Sequence, residues 1–122
     1  MKKLTREEAI SLHRKMWNWI ADEMEKMGKF INKYSYFKAM KIPDCPDYLC
    51  YCCEYAIQQN NGELRSRCKH CPLDWESKYD LFMCSQIEEL DDGEGLYERW
   101  EECENVKEGV KLARQIANLE ER

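Results

Sequence analysis

Two cysteine pairs carry the strongest chemical signal in this 122-residue chain. Cys50 with Cys53, and Cys68 with Cys71, each leave two residues between the thiols, the gap at which a tight knuckle turns both sulfurs towards one ion. Fourteen residues separate the pairs, close to the C-x2-C, fifteen to twenty, C-x2-C arrangement of structural zinc sites. Four thiolates fill a tetrahedral ion and leave no position for substrate, so such a donor set holds a fold together and does not activate water. The expected cofactor is one structural Zn2+ on Cys50, Cys53, Cys68 and Cys71, with iron or a redox dithiol as the competing readings.

The remaining thiols fit that reading as neighbours. Cys52 lies between two ligand positions and would replace Cys50 or Cys53 only with a poorer knuckle. Cys45, Cys84 and Cys103 show no ligand spacing with His13 or His70, and free cysteines commonly fill cores. Enzyme signatures are missing. A zinc nucleobase deaminase needs H-x-E and P-C-x-x-C, whereas Arg14 and Lys15 follow His13, and Pro46 lies four positions ahead of Cys50. A thioredoxin-like centre wants its C-x-x-C at the head of a helix after a strand, and a hydrolytic zinc site wants His or carboxylate ligands with an open position. The phosphate-loop, dinucleotide and nucleophile-elbow patterns do not occur. A non-enzymatic protein is therefore expected.

The elements that must position these thiols are helical. Thr5 and Glu8 form a capping box, and Ala9, Leu12, Met16, Ile20 and Met24 recur behind it at helical spacing, so a helix is predicted from Thr5 to Met27, ended by Gly28. Phe30, Tyr34, Phe37 and Met40 mark a second helical stretch that Pro43 stops. Leu96, Trp100, Cys103, Val110, Ala113 and Ala117 share one stripe, which predicts a C-terminal helix, with Gly109 marking a kink or a close approach to another backbone. Ser85 with Glu88 suggests a short helix to Leu90, Asn61-Gly62 a turn between the knuckles, and "ELRSR" a small hairpin. The predicted fold class is mainly α: two long helices and shorter helical pieces packed around a four-cysteine zinc-knuckle loop, with at most a small β-hairpin.

One domain is expected at this length: basic helices over 1–42, zinc knuckles over 43–76 and an acidic helical part over 77–122. Apolar residues at 43% support a core, and charged residues at 35% a solvated surface. No signal-peptide-like run follows "MKKLTREEAI", and no apolar stretch approaches a membrane span, so a cytoplasmic setting with reduced thiols and no membrane contact is expected. The net charge of -5 is uneven: residues 1–41 hold ten basic and five acidic side chains, and residues 42–122 nine basic and nineteen acidic. Between Glu88 and Glu104 nine acidic side chains stand against only Arg99, which disfavours direct nucleic-acid binding and leaves a solvated helix face or a DNA mimic as the meaning of the stretch.

"HRKMWNWIADE" sets His13, Arg14, Trp17 and Trp19 on adjacent turns, and "LYERW" adds Tyr97 and Trp100. Cationic donors beside aromatic faces suit a nucleotide or another planar anion. Trp and His at helical spacing equally read as core, and Trp19, off the main stripe, is the better candidate for an exposed contact.

"LHRKMWNWIADE", "CYCCEYA", "CKHCPLDW", "LYERWEEC" and "LARQIANLEER", in that order, resemble small cysteine-rich proteins carried by bacteriophages and prophages of Gram-positive bacteria. The resemblance covers most of the chain and marks Cys50, Cys53, Cys68 and Cys71 as the paired cysteines, with Cys52 an extra thiol within the first motif. It implies a viral protein in the cytoplasm of a bacterial host. Small accessory proteins of that kind often occupy a host protein, here a component of antiviral defence, or sequester a signal such as a nucleotide. A host protein is the expected partner, a nucleotide in an aromatic and basic pocket the alternative, and an acidic DNA mimic or nucleic-acid-binding regulator a further one. A homo-oligomer is compatible with all three.

Overall fold

Thr5 begins the longest element. In the computed structural model, which describes residues 2–46, 49–59, 70–75 and 95–122, helix α1 spans Arg6–Met27. The Thr5 hydroxyl accepts from the Glu8 N–H at 3.1 Å, and the Glu8 carboxylate accepts from the Thr5 N–H at 3.0 Å. This reciprocal box satisfies two amides that a helix start otherwise leaves open. Gly28 ends the helix in the left-handed region at φ 66°, its N–H bonded to the Met24 carbonyl at 2.8 Å.

Four shorter helices follow: α2 Lys33–Ala39, α3 Tyr51–Gln59, α4 Leu96–Glu102 and α5 Val106–Ala117. The protein is mainly α, and among the described residues the only β pairing is one antiparallel bridge between Leu73 and Glu121. Helix α1 lies at the centre, packed chiefly on α5 and also against α3 and α2. Its stripe of Ala9, Met16, Trp17, Ile20, Ala21 and Met24 is buried against Leu112, Ala113, Ile116 and Ala117 of α5. Each large apolar side chain so buried contributes roughly 1.5–3 kcal/mol relative to exposure. Trp17 meets Trp100 and Tyr97 edge-on, with centroids 4.8 and 6.1 Å away. On the other side Tyr36 packs edge-to-face on both Trp19 and Phe37.

Two elements differ from the sequence expectation. The predicted C-terminal helix is two helices, because the chain turns extended at Cys103 (φ -67°, ψ 133°) and Asn105 then caps α5, its side-chain oxygen accepting from the Glu108 N–H at 3.1 Å. A single apolar stripe ran across that break, and periodicity does not see a cap inside it. Secondly, the first cysteine motif is not a loop knuckle, since Tyr51–Gln59 is helical. Gly109 is a close approach, but to side chains and not to another backbone: a Cβ there would stand 2.7 Å from Met24 Cε and 2.8 Å from a Phe30 ring carbon. The Asn61-Gly62 turn, the "ELRSR" hairpin and the Ser85–Leu90 helix lie outside the described residues.

Helix α2 ends in a Schellman motif, with Lys41 N–H on the Lys38 carbonyl at 3.2 Å and Ile42 N–H on the Phe37 carbonyl at 2.9 Å. The left-handed position normally given to glycine is held by Lys41 at φ 55°. Lys41→Gly should therefore raise stability by about 1 kcal/mol in urea titration, by relieving the Cβ clash of that conformation; unchanged or lower stability would show that the Lys41 backbone carries no strain.

Candidate metal centre

Helix α3 and the segment 70–75 bring four thiols together. Cys50 precedes the first turn of α3 in the position of a helix cap: its carbonyl accepts from Glu54 N–H at 3.0 Å, and its Sγ from Cys53 N–H at 3.3 Å. The Cys52 N–H also donates to that sulfur, and the Cys53 thiol does so from one turn on. Cys71 Sγ is served in a similar way, accepting from the Leu73 N–H, the Trp75 indole and the Cys52 thiol. Cys52 is fully buried against Ile10 and Leu73, and its sulfur lies 4.0 Å from the Ala9 carbonyl of α1.

These contacts divide the thiols electrically. The Cys53 thiol hydrogen bond, aided by Lys33 and the two backbone donors, brings the Cys50 pKa down to about 6 despite its burial. The Cys52 thiol bond holds Cys71 below the ordinary thiol range, helped by the Leu73 amide and Trp75. Cys52, as the donor in that bond and buried as well, is pushed far up. The N–H donors at Cys50 and Cys71 shift both thiols towards thiolate, the ligating form, while Cys52 is shifted away from it, which suits a metal-binding pair with a non-ligand neighbour.

Among the described residues, no three His, Cys, Asp or Glu side chains form a group arranged to hold a metal ion. Of the predicted ligands, Cys50, Cys53 and Cys71 stand within this cluster, and Cys68 lies outside the described residues, as does Cys84. Cys45 and Cys103 are elsewhere, their sulfurs on the Ile42 carbonyl at 3.6 Å and the Asn105 carbonyl at 3.2 Å.

The predicted contact residues separate into two groups. His13 is completely buried; its Nε2 bonds the Ile116 carbonyl at 2.8 Å, which makes Nε2 the protonated nitrogen, and Nδ1 has no partner among the described residues. Arg14 donates to the carbonyls of Ala117 at 2.7 Å and Leu119 at 2.9 Å. Both side chains thus cap the C-terminal end of α5, where carbonyls lack helical partners. Trp17 is core and Trp19 is half-buried on Tyr36. Tyr97 and Trp100, by contrast, line a pocket of about 370 Å3 together with Phe30, Lys33, Tyr34 and Glu101, among others. Lys33 Nζ sits 4.4 Å from the Tyr97 ring centroid, and the Tyr97 hydroxyl donates to Glu101 at 2.7 Å.

No protein-family model, curated protein or solved structure matches this chain. Among the described residues, no helix is long and apolar enough to cross a membrane.

Burial brings the His13 pKa down from 6.5 to about 4, with Arg14 and Lys33 adding to the shift and the Ile116 bond opposing it. The neutral ring is thus the folded form. Its contribution is complete above pH 6.5 and is lost as pH falls towards 4, because the unfolded chain takes up the proton first. The shift corresponds to about 3 kcal/mol. Urea unfolding at a series of pH values should show this acid slope, and His13→Gln, which keeps an N–H for Ile116, should flatten it; an equal slope in both proteins would place the acid sensitivity elsewhere.

Proposed function

We propose that this chain is a non-enzymatic accessory protein of a bacteriophage that binds and neutralises a host component, one of antiviral defence, with a structural zinc ion on Cys50, Cys53, Cys68 and Cys71 holding its fold. The observation that carries the binding role is how the polar groups are used. His13 and Arg14, which have the chemistry to handle a substrate, are occupied by the end of α5. Of the large apolar side chains left exposed, Phe30 and Tyr34 line an open pocket instead. For the zinc, support comes from the N–H and indole donors directed at Cys50 and Cys71, which are the partners that metal-bound thiolates need to keep their charge tolerable in a half-buried site.

The pocket gives the nucleotide reading a specific footing. Half-buried Tyr97 supplies an aromatic face, Lys33 a cation, and the volume lies within the range of small-molecule sites. Two measurements separate these readings. A tagged chain recovered from infected cells should retain one host protein in stoichiometric amount, and expression of the chain alone should lower that protein's activity; recovery of no host protein during infection would contradict neutralisation by binding. A panel of cyclic and adenine nucleotides should leave the melting temperature unchanged under the first reading, whereas a rise with one nucleotide that Tyr97→Ala abolishes would establish the second.

A further inference from the structure

The large hydrophobic side chains exposed among the described residues are Met27 at 54%, Phe30 at 38%, Tyr34 at 61% and Met40 at 39%. All four fall within residues 26–41, a stretch that also holds five lysines and no acidic residue. This stretch forms one wall of the pocket, through residues 30–34. The facing wall is α4 and the turn after it, where Glu101, Glu102 and Glu104 are exposed. One apolar groove therefore runs between a basic edge and an acidic edge.

That arrangement selects its partner. A nucleic acid or an anionic lipid surface would gain from the lysines and be repelled by the carboxylates, and a uniformly basic protein would meet the opposite conflict. A partner with both signs side by side satisfies both edges. We infer that the groove pairs with a second copy of this chain, around a two-fold axis running along the groove. Rotation about such an axis sets each copy's lysine edge over the other's glutamate edge and lays Phe30 and Tyr34 of each copy on the other's α4 wall, beside Tyr97. Burial of those side chains supplies the affinity, while the ion pairs at the rim, individually weak, fix the register. This pairing goes beyond the proposed function: it uses the same surface, so a second copy and a host partner compete for it, and its test on the purified chain stands whether or not a host partner exists.

Sedimentation velocity of the purified full chain tests the pairing over a wide micromolar range of concentration. A reversible dimer is expected, weakened by added salt. Tyr34→Ser, at the most exposed of these side chains, should raise the dissociation constant at least about tenfold, with unchanged helicity by circular dichroism. Lys29→Glu and Glu104→Lys should each weaken the dimer, and the double variant should recover much of the loss. A monomer at every concentration would overturn the inference. So would a dimer insensitive to Tyr34→Ser, or charge reversals whose combination restores nothing.

Discussion

The rest of this structure depends on how the end of α5 is held. A helix finishing inside a small protein leaves carbonyls that must find donors, and here they come from α1: His13 reaches Ile116, and Arg14 reaches Ala117 and Leu119. Because these donors sit one turn below Trp17, the polar clamp and the apolar packing of α1 on α5 enforce the same register. Past the clamp, the tail pairs with the cysteine segment, Asp74 N–H to the Glu120 carbonyl at 2.8 Å and Arg122 N–H to the Pro72 carbonyl at 2.9 Å. Arg6, at the other end of the α1 face, fastens the same tail through Glu121 and the Arg122 carbonyl. The sulfur cluster is thereby tied to the main core from both sides, by this tail and by the buried Cys52 on Ala9 and Ile10.

Much of this was legible in the sequence where local chemistry is decisive. The capping box, Gly28 and the spacing of Ala9 to Met24 fixed α1 almost to the residue, since caps and a long stripe act within one helix. The second helix was also foreseen, but it starts later, at Asn32, whose side chain caps Ser35 N–H at 2.9 Å. Helix α3 was not foreseen. Its nine residues carry three aromatic or cysteine side chains in succession, and the metal-ligand spacing of Cys50 and Cys53 suggested a loop where Cys50 in fact takes a cap position. A cysteine three residues ahead of another can serve either geometry, and only the following Glu54, Tyr55 and Ala56 hinted at the helix.

At the candidate site the same split holds between local and long-range information. Spacing could name Cys50, Cys53 and Cys71 as neighbours, but not the Trp75 indole on Cys71 or the bond from Cys52, which depend on the folding of 70–75 against α1 and α3. His13 and Arg14 illustrate the limit most clearly. Their types and position beside Trp17 suit a ligand as well as a helix terminus, and what decides between those uses lies more than a hundred residues away in sequence. Half-buried Tyr97 lines the gap left opposite residues 30–34 where α4 stops at Cys103, with the buried Trp100 behind it.

A core of this size gains most from an added cross-link where loops are tied to helices, and a structural metal supplies one without an oxidising environment. The most direct measurement is elemental analysis of the purified chain, followed by far-ultraviolet circular dichroism as a chelator removes the metal. A structural site predicts one zinc per chain, with helicity falling in step with zinc loss. A chain that carries no zinc when folded, or one that keeps its full helicity after the zinc is gone, would contradict it.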